Sequence, residues 1–377
     1  MDFSFSPDQE ELRDLARRII TDRCTPEHLR AISDTVSGTD LELWRSLAAA
    51  GIVGISLPET AGGGGLGWLE TAIVLDEVAR AAAPVPGLAV MALAGPALET
   101  RPDLLRGVAD GTSIVAAAIH EPVGDPWTPA ARVADSRLTG TKICVGHGLL
   151  ADRFVVSASG SDGDGLYLVE ADLPEVAIER QDTTSGVPDA LVEFDGATAE
   201  PIGGSDALDD LLRRGMSAAA VMTSAACAGA LQLTAGYAVE REQFDRPIAA
   251  FQAVSQRVGD AYIDTESVHL TAWHAAWRLD RALPADEALL SAKFWAAEGG
   301  WRVIHAAQHV HGGVGVDRDY PLFRYFLMHK QLELLLSSAT PTLQRLGRTL
   351  ADQPRQARPG RQPVAPSNSL ASAADRL

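Results

Sequence analysis

The first unambiguous element of the chain opens at Ser6-Pro7-Asp8-Gln9, where a capping-box serine and glutamine flank a proline at the first helical position. Leu12, Leu15, Ala16 and Ile19 then recur at helical spacing, which predicts an amphipathic helix. The same period predicts helices over Leu41 to Ala50 and Leu69 to Ala83, separated by Ile55-Ser56-Leu57-Pro58 and the glycine-rich run Gly62 to Gly67. From Ser113 the texture changes. Ile114 to Ile119, Lys142 to Val145, Arg153 to Ser157, Leu166 to Val169 and Ala190 to Phe194 read as short strands punctuated by Gly, Asp, Ser and Pro. Strands this close together without intervening helices predict an antiparallel β domain ending near Gly203-Gly204. Helical patterning resumes at about Asp206 and runs to Leu350. It includes a small-residue stretch, Ala218 to Ala230, suited to close helix packing. The predicted organisation is a helical domain over 1–112, a β domain over 113–204, a helical bundle over 205–352 and a tail over 353–377. The tail is rich in Pro, Arg, Ser and Ala without an apolar period, and is predicted to be mobile.

Charge narrows the partners. Against 32 Lys and Arg stand 50 Asp and Glu, a formal net charge of −18, so nucleic acid and anionic lipid are repelled at long range. No unbroken apolar run long enough to cross a bilayer is read in the sequence, and no membrane partner is expected. Cys24, Cys144 and Cys227 are odd in number and widely spaced, which supports neither a disulfide framework nor a zinc ribbon. The opening residues Met1-Asp2-Phe3-Ser4-Phe5 lack the features of a signal peptide, so a reducing cytoplasm is expected.

Several motifs invite chemistry and lose it on inspection. The Gly62 to Gly67 run has no following Lys-Ser/Thr and reads as a turn rather than a phosphate cradle. His305, His309 and His311 crowd together, but no local carboxylate or cysteine completes a ligand set, and no metal is expected. No G-x-S-x-G elbow offers a serine nucleophile. Trp273, Trp277, Trp295 and Trp301 fall at helical spacing and read as bundle core. Two segments resist a generic reading. In Arg241 to Gln252 a helix breaks at Asp245-Arg246-Pro247 and another begins. His309 to Val316 carries the pair Gly312-Gly313 and leads into Asp319-Tyr320-Pro321-Leu322. Arginine and amide side chains near helix ends, with a glycine pair admitting close backbone approach, suit a pyrophosphate and an adenosine.

Together, behind a helical-then-β start, these segments resemble the acyl-CoA dehydrogenase family over about residues 1–350. The matching motifs are R-x-Q-F-x-x-P-I-x-x-F-Q, here Arg241 to Gln252, and H-G-G-x-G with a following Y-P. The resemblance implies a mostly α fold with a central β domain: an N-terminal helical domain, an antiparallel β domain, and a C-terminal four-helix bundle carrying a tetramer interface. It further implies FAD as cofactor and desaturation of an acyl-CoA between Cα and Cβ. Arg241, Phe244, Phe251, Gln252, His309, His311, Gly312 and Gly313 are the implied cofactor-binding residues. In the family, this part of the chain reaches across a subunit interface to a neighbour's FAD.

Other positions depart from the family pattern. The two places where the family carries its glutamate base fall at Ser338 and Gly215, neither of which is a carboxylate. Glu121 to Trp127 and Gly140 to Gly146 lack groups that the family sets against the isoalloxazine. The chain is therefore most similar to the base-lacking, β-type subunit of actinobacterial heterotetrameric steroid side-chain acyl-CoA dehydrogenases. Cys24 to His28, Arg241 to Pro247, Tyr262-Ile263-Asp264 and His309 to Asp317 carry that likeness. It implies a homologous partner subunit supplying the glutamate, one FAD shared per heterodimer, an acyl-CoA substrate and an electron-transfer flavoprotein as acceptor. Two other readings stay open: a homotetramer using a base such as Glu170 or Glu333, and a non-catalytic acyl-CoA-binding homologue.

Overall fold

The computed structural model describes residues 4–352; the tail expected to be mobile, 353–377, lies outside the described residues. The chain begins with α1 (Pro7–Thr21), whose capping box forms as predicted. Ser6 Oγ accepts the Gln9 N–H at 3.2 Å, and Gln9 Oε1 accepts the Ser6 N–H at 3.0 Å. Next come α2 (Pro26–Ser33), α3 (Leu41–Ala49) and α4 (Trp68–Arg80). Asp40, almost fully buried, joins three of these pieces. It caps α3 through Leu43 N at 2.9 Å and receives Arg23 at 2.7 Å and His28 at 2.6 Å. A π-helical turn over Leu88–Ala94 and α5 (Pro102–Ala109) complete the domain.

The glycine run is a turn whose amides are already committed. Gly63, Gly64 and Gly65 donate to the carbonyls of Pro58, Gly54 and Leu57 at 3.1, 2.9 and 2.9 Å. A Cβ at Gly63 would sit 2.2 Å from the Leu57 carbonyl oxygen, so only glycine allows this backbone approach. None of these three amides is left for a phosphate.

The β domain is one eight-stranded sheet of β1 (Val115–Ala118), β2 (Arg132–Ala134), β3 (Arg137–Gly146), β4 (Arg153–Gly160), β5 (Gly163–Glu170), β6 (Val176–Gln181), β7 (Asp189–Thr198) and β8 (Glu200–Gly203). The order is β6-β7-β3-β2-β4-β5-β8, with β1 also on β4. The expectation of a purely antiparallel sheet needs correction, because β1 and β2 both pair with β4 in parallel. The chain leaves β1, passes through the β2–β3 hairpin and returns to β4 in its original direction, which is the crossover a parallel pair requires. The strands absent from the sequence reading, β2, β6 and β8, are short or polar. Val176-Ala177-Ile178-Glu179-Arg180-Gln181 owes its extended form to the six-residue ladder with β7 rather than to a buried face of its own.

The C-terminal region is built on α6 (Ser205–Glu240), whose residues 215–227 are all buried. An apolar window gives α6 the length and composition of a membrane span, yet 78% of that window is buried inside the protein. A helix apolar on every side is satisfied by neighbours on every side. These are α4, α7 (Gln252–Asp280), α8 (Asp286–His311) and α9 (Leu322–Leu334), followed by α10 (Ala339–Asp352). Small residues make the approach possible: a Cβ at Gly229 would meet the Tyr325 ring at 2.8 Å. Arg302 on α8 grips Asp264 on α7 at 2.6 and 2.8 Å. Trp273, Trp277 and Trp295 pack against the core, but Trp301 is 43% exposed, its ring on His305, which corrects the expectation that all four are core.

Candidate functional site

At one end of the bundle, α6 stops at Glu240, earlier than the predicted break at Asp245-Arg246-Pro247. The reason is a small hairpin of β9 (Glu242–Gln243) and β10 (Arg246–Pro247). Its two-residue turn places Phe244 and Asp245 at φ of 55° and 60°, the left-handed conformation such turns demand. Phe244 is 86% exposed, its ring edge-on to Phe251 with centroids 6.1 Å apart, while the Arg246 guanidinium lies 4.1 Å above the Phe251 ring. The Arg241 backbone is held by Tyr237 O and Ile248 N at 2.8 Å each, and its exposed side chain has no carboxylate partner among the described residues. Gln252 is exposed at the start of α7.

The second motif emerges beside the first. The Tyr237 ring, one helical turn before Arg241, stacks on His311 at 4.4 Å and 23°. His311 is buried and fully engaged: Nδ1 contacts Ala307 O at 2.8 Å and Nε2 contacts the Tyr320 hydroxyl at 3.0 Å. Burial lowers its pKa, favouring a neutral ring that ties the ends of α6, α8 and the Asp319-Tyr320-Pro321 turn together. His309 is exposed, as are Gly312 and Gly313, and nothing approaches the space where a Cβ on either glycine would stand. Gly312 adopts φ +58°. Arg241, Phe244, Gln252, His309, Gly312 and Gly313 are thus presented outward on the two segments that Tyr237 and His311 join, with Phe251 half-buried beneath Arg246 and His311 as their brace.

Between the sheet and the bundle the situation is reversed. Lys142, fully buried on β3, donates to Glu121 at 2.7 Å and Ser157 at 3.0 Å. The Glu121 carboxylate also takes the Ala130 and Ala131 amides at 2.6 and 2.8 Å. Burial raises the Glu121 pKa, but Lys142 and these amides outweigh it and hold the carboxyl below its usual range. The loop they close is pinned to α10: the Arg345 guanidinium sits 3.8 Å over Trp127 and 4.0 Å from Asp125. Cys144, on a bulge at φ +50°, gives its amide to Gln181 Oε1 at 2.7 Å. Every one of these donors has a partner within the chain.

The two positions where the resemblance put a base fare differently. Gly215 lies buried in α6, where a Cβ would meet Leu336 Cδ1 and Leu93 Cδ2 at 2.8 Å each. Ser338, two residues past Leu336, turns away to open α10, its carbonyl accepting Thr342 N at 3.1 Å and Thr342 Oγ1 at 2.7 Å. The residue facing Gly215 is therefore Leu336, held at φ +64°. Glu170 is paired with Arg153 at 2.7 Å on the sheet surface, and Glu333 with Lys330 at 2.6 Å. Among the described residues, no group of three or more His, Cys, Asp or Glu is placed to hold a metal ion.

Sequence reasoning missed a polar set in this cleft. Asp189, His120 and His147 line a cavity of about 180 Å³ between sheet and helices, together with Gln331. Burial pushes the Asp189 carboxyl up to about 6 and the two imidazoles down to about 4, with Lys142 and Lys293 adding to the effect on His120. His120 Nε2 lies 3.5 Å from the Leu336 amide, close to the loop that faces Gly215. Only the proline and the strand boundary beside Asp189 were visible in one dimension, and they signal a turn, not a cavity wall.

Comparison with known proteins agrees with this layout. Residues 6–100 match the acyl-CoA dehydrogenase N-terminal domain and residues 204–335 match the acyl-CoA dehydrogenase C-terminal domain. The chain is 40% identical over 372 residues to acyl-CoA dehydrogenase FadE27 of Mycobacterium tuberculosis, covering 94% of this chain and all of that one. Among solved structures it is similar to the ChsE4-ChsE5 complex from Mycobacterium tuberculosis, at 40% identity and a TM-score of 0.89, covering 94% of this chain and all of that one. It is also similar to a variant of the Tcur3481-Tcur3483 steroid ACAD, at 41% identity and a TM-score of 0.87, covering 91% of this chain and 98% of that one.

Proposed function

Because this chain belongs to the acyl-CoA dehydrogenase family of oxidoreductases, we propose that it is the base-lacking, cofactor-donating subunit of a heteromeric enzyme that places an α,β double bond in an acyl-CoA thioester. The observation that carries this reading is the packing at Gly215, where Leu336 and Leu93 fill the space a carboxylate side chain would need. The α-proton of a thioester is weakly acidic, so its removal requires a positioned base, together with hydrogen bonds to the developing enolate oxygen. A leucine side chain can supply neither. A homologous partner subunit bearing the glutamate supplies the missing group, in line with the two-chain name of the ChsE4-ChsE5 complex.

The same division applies to FAD, which when bound accepts the hydride from Cβ. The cleft of this chain does not fit it. A cavity of about 180 Å³ is close to the ~150 Å³ that holds a single benzene ring, well short of a three-ring isoalloxazine. The other end of the molecule does fit. Arg241 offers an unpaired guanidinium for a pyrophosphate, Phe244 an exposed ring, Gln252 an amide and Gly312-Gly313 an open backbone. These residues hold and orient a cofactor that belongs chiefly to the partner, so one FAD serves each heterodimer of a tetramer with two copies of each chain. The similarity to a steroid ACAD favours a bulky steroid side-chain CoA thioester as substrate. The proposed acceptor is an electron-transfer flavoprotein, and the proposed compartment is the cytoplasm. Glu170 and Glu333, each held by a basic neighbour, favour neither a homotetramer with its own base nor catalysis by this chain alone.

The test is the absorbance spectrum and native mass of this chain purified alone and after co-expression with a glutamate-bearing homologue. A colourless lone chain and a yellow mixed tetramer with one FAD per heterodimer are expected. A yellow, active homotetramer overturns the reading.

A further inference from the structure

The cavity between the sheet and the bundle is not simply a site that packing has closed. Its walls are mostly apolar, with Leu88, Leu93, Met222 and Leu335 among them, although Ser33 and Arg324, bonded to each other, and Ser185 also reach the lining; Asp189 is buried there with one side-chain partner. That partner, Gln331 Nε2, lies 3.4 Å from Asp189 Oδ2, beyond the ~2.9 Å of an ordinary N–H···O bond. On the same wall, His147 Nε2 is buried with no hydrogen-bond partner among the described residues. A buried carboxylate whose side-chain donor stands this far off gains from a closer partner. The cavity also has a way in, since the exposed Gly186 is part of its lining.

We propose that this cavity binds a compact lipophilic alcohol or phenol, whose hydroxyl donates to Asp189 and accepts from Gln331. A hydroxyl carries one donor and acceptor lone pairs on the same atom, which is what the edge of a carboxylate beside an amide N–H requires. The volume sets the size. About 180 Å³ against the ~150 Å³ of a benzene-binding cavity admits one ring with a short substituent, not a steroid nucleus or a flavin. The occupant is thus distinct from both the cofactor and the acyl-CoA of the proposed reaction. It belongs to the half of the heterodimer that carries no base.

The experiment is calorimetric titration of the co-expressed complex with 4-ethylphenol and with 4-ethylanisole, its methyl ether, while flavin absorbance is followed. Saturable binding of the phenol, one per copy of this chain, is expected, with the ether at least tenfold weaker. Asp189→Asn and Gln331→Leu, made separately so that one misfolded variant does not decide the matter, should each shrink that preference. Leu88→Trp, which fills the cavity, should abolish binding of both probes. Equal affinity for phenol and ether overturns the proposal, as does the absence of saturable binding, which means that water alone occupies the site. Release of flavin in step with phenol binding also overturns it, by showing the cavity to be a flavin seat. A colourless complex defeats the donor-subunit reading but leaves the titration interpretable, so the two ideas fail separately.

Discussion

The hairpin end of the bundle and the cleft between sheet and helices use similar residue types in opposite ways. At the hairpin, Arg241 and Phe244 stand in solvent with their backbones fixed by Tyr237, Ile248 and a tight turn. In the cleft, Lys142, Glu121 and the loop amides have turned inward and satisfied one another. The first arrangement is a rigid frame that leaves side chains free to meet something outside the chain. The second is a closed account in which a newcomer must break existing bonds. A chain that gives to a neighbour's site and has withdrawn from its own would look like this.

Breaking the closed cleft should have the largest effect. Lys142→Met leaves the Glu121 carboxylate buried without its cation, and a loss of about 3–5 kcal/mol in chemical denaturation is expected. FAD content per folded complex should not change, and a proportional loss of flavin would mean that the cleft does hold cofactor. Asp189 comes next. Its folded carboxyl titrates at about 6 against ~3.9 unfolded, so the native state binds the extra proton and the stability it brings is present below about pH 4 and lost as pH rises through 6. Asp189→Asn should therefore gain on the parent by roughly 2–3 kcal/mol at pH 8 and little at pH 4, as read from melting curves at the two values. A pH-independent difference would remove the ionisation argument.

At the open end, Arg241→Ala should weaken FAD retention in the complex by about 1.5–3 kcal/mol, the worth of a charge-assisted bond, and leave the melting point of the lone chain unaltered. Unchanged flavin affinity would show that Arg241 does not reach the cofactor. The smallest effects belong to the vacant base positions. Gly215→Ala should cost about 1–3 kcal/mol by overpacking against Leu336 and Leu93. Ser338→Glu should produce no turnover in the isolated chain, whereas measurable dehydrogenation by that variant would contradict the account of the cleft.

Much of the fold was legible from local patterning. The capping box at Ser6 and Gln9, the helices at 41 and 69, and five of the eight sheet strands follow from spacing and turn residues alone. The outward presentation of the end proposed to meet a cofactor also rests on near-consecutive residues, in a hairpin and a glycine turn. At the positions where the resemblance places a base, the sequence offered only non-carboxylate residues. Counting along the chain reached Ser338, but the structure sets Leu336 against Gly215, since the chain turns through a left-handed leucine within the three residues between the end of α9 and Ser338. His311 is a similar case. Its motif points to a ligand, while its ring is spent on Tyr237, Tyr320 and Ala307.

The sequence by itself determined where most of the long helices and five of the sheet strands lie, which segments carry an arginine, an aromatic ring and a glycine pair, and that Ser338 and Gly215, where the resemblance places a base, are not carboxylates. These depend on neighbours within a turn or two, where backbone geometry dictates contact. Only the tertiary structure decided that Leu93, Gly215 and Leu336 share one space, that Lys142 and Glu121 form a buried pair, and that Asp189 meets Gln331 in the wall of a small cavity. Those residues lie tens to hundreds of positions apart. What they do depends on burial and on the distance between elements, and neither is written in the order of the residues.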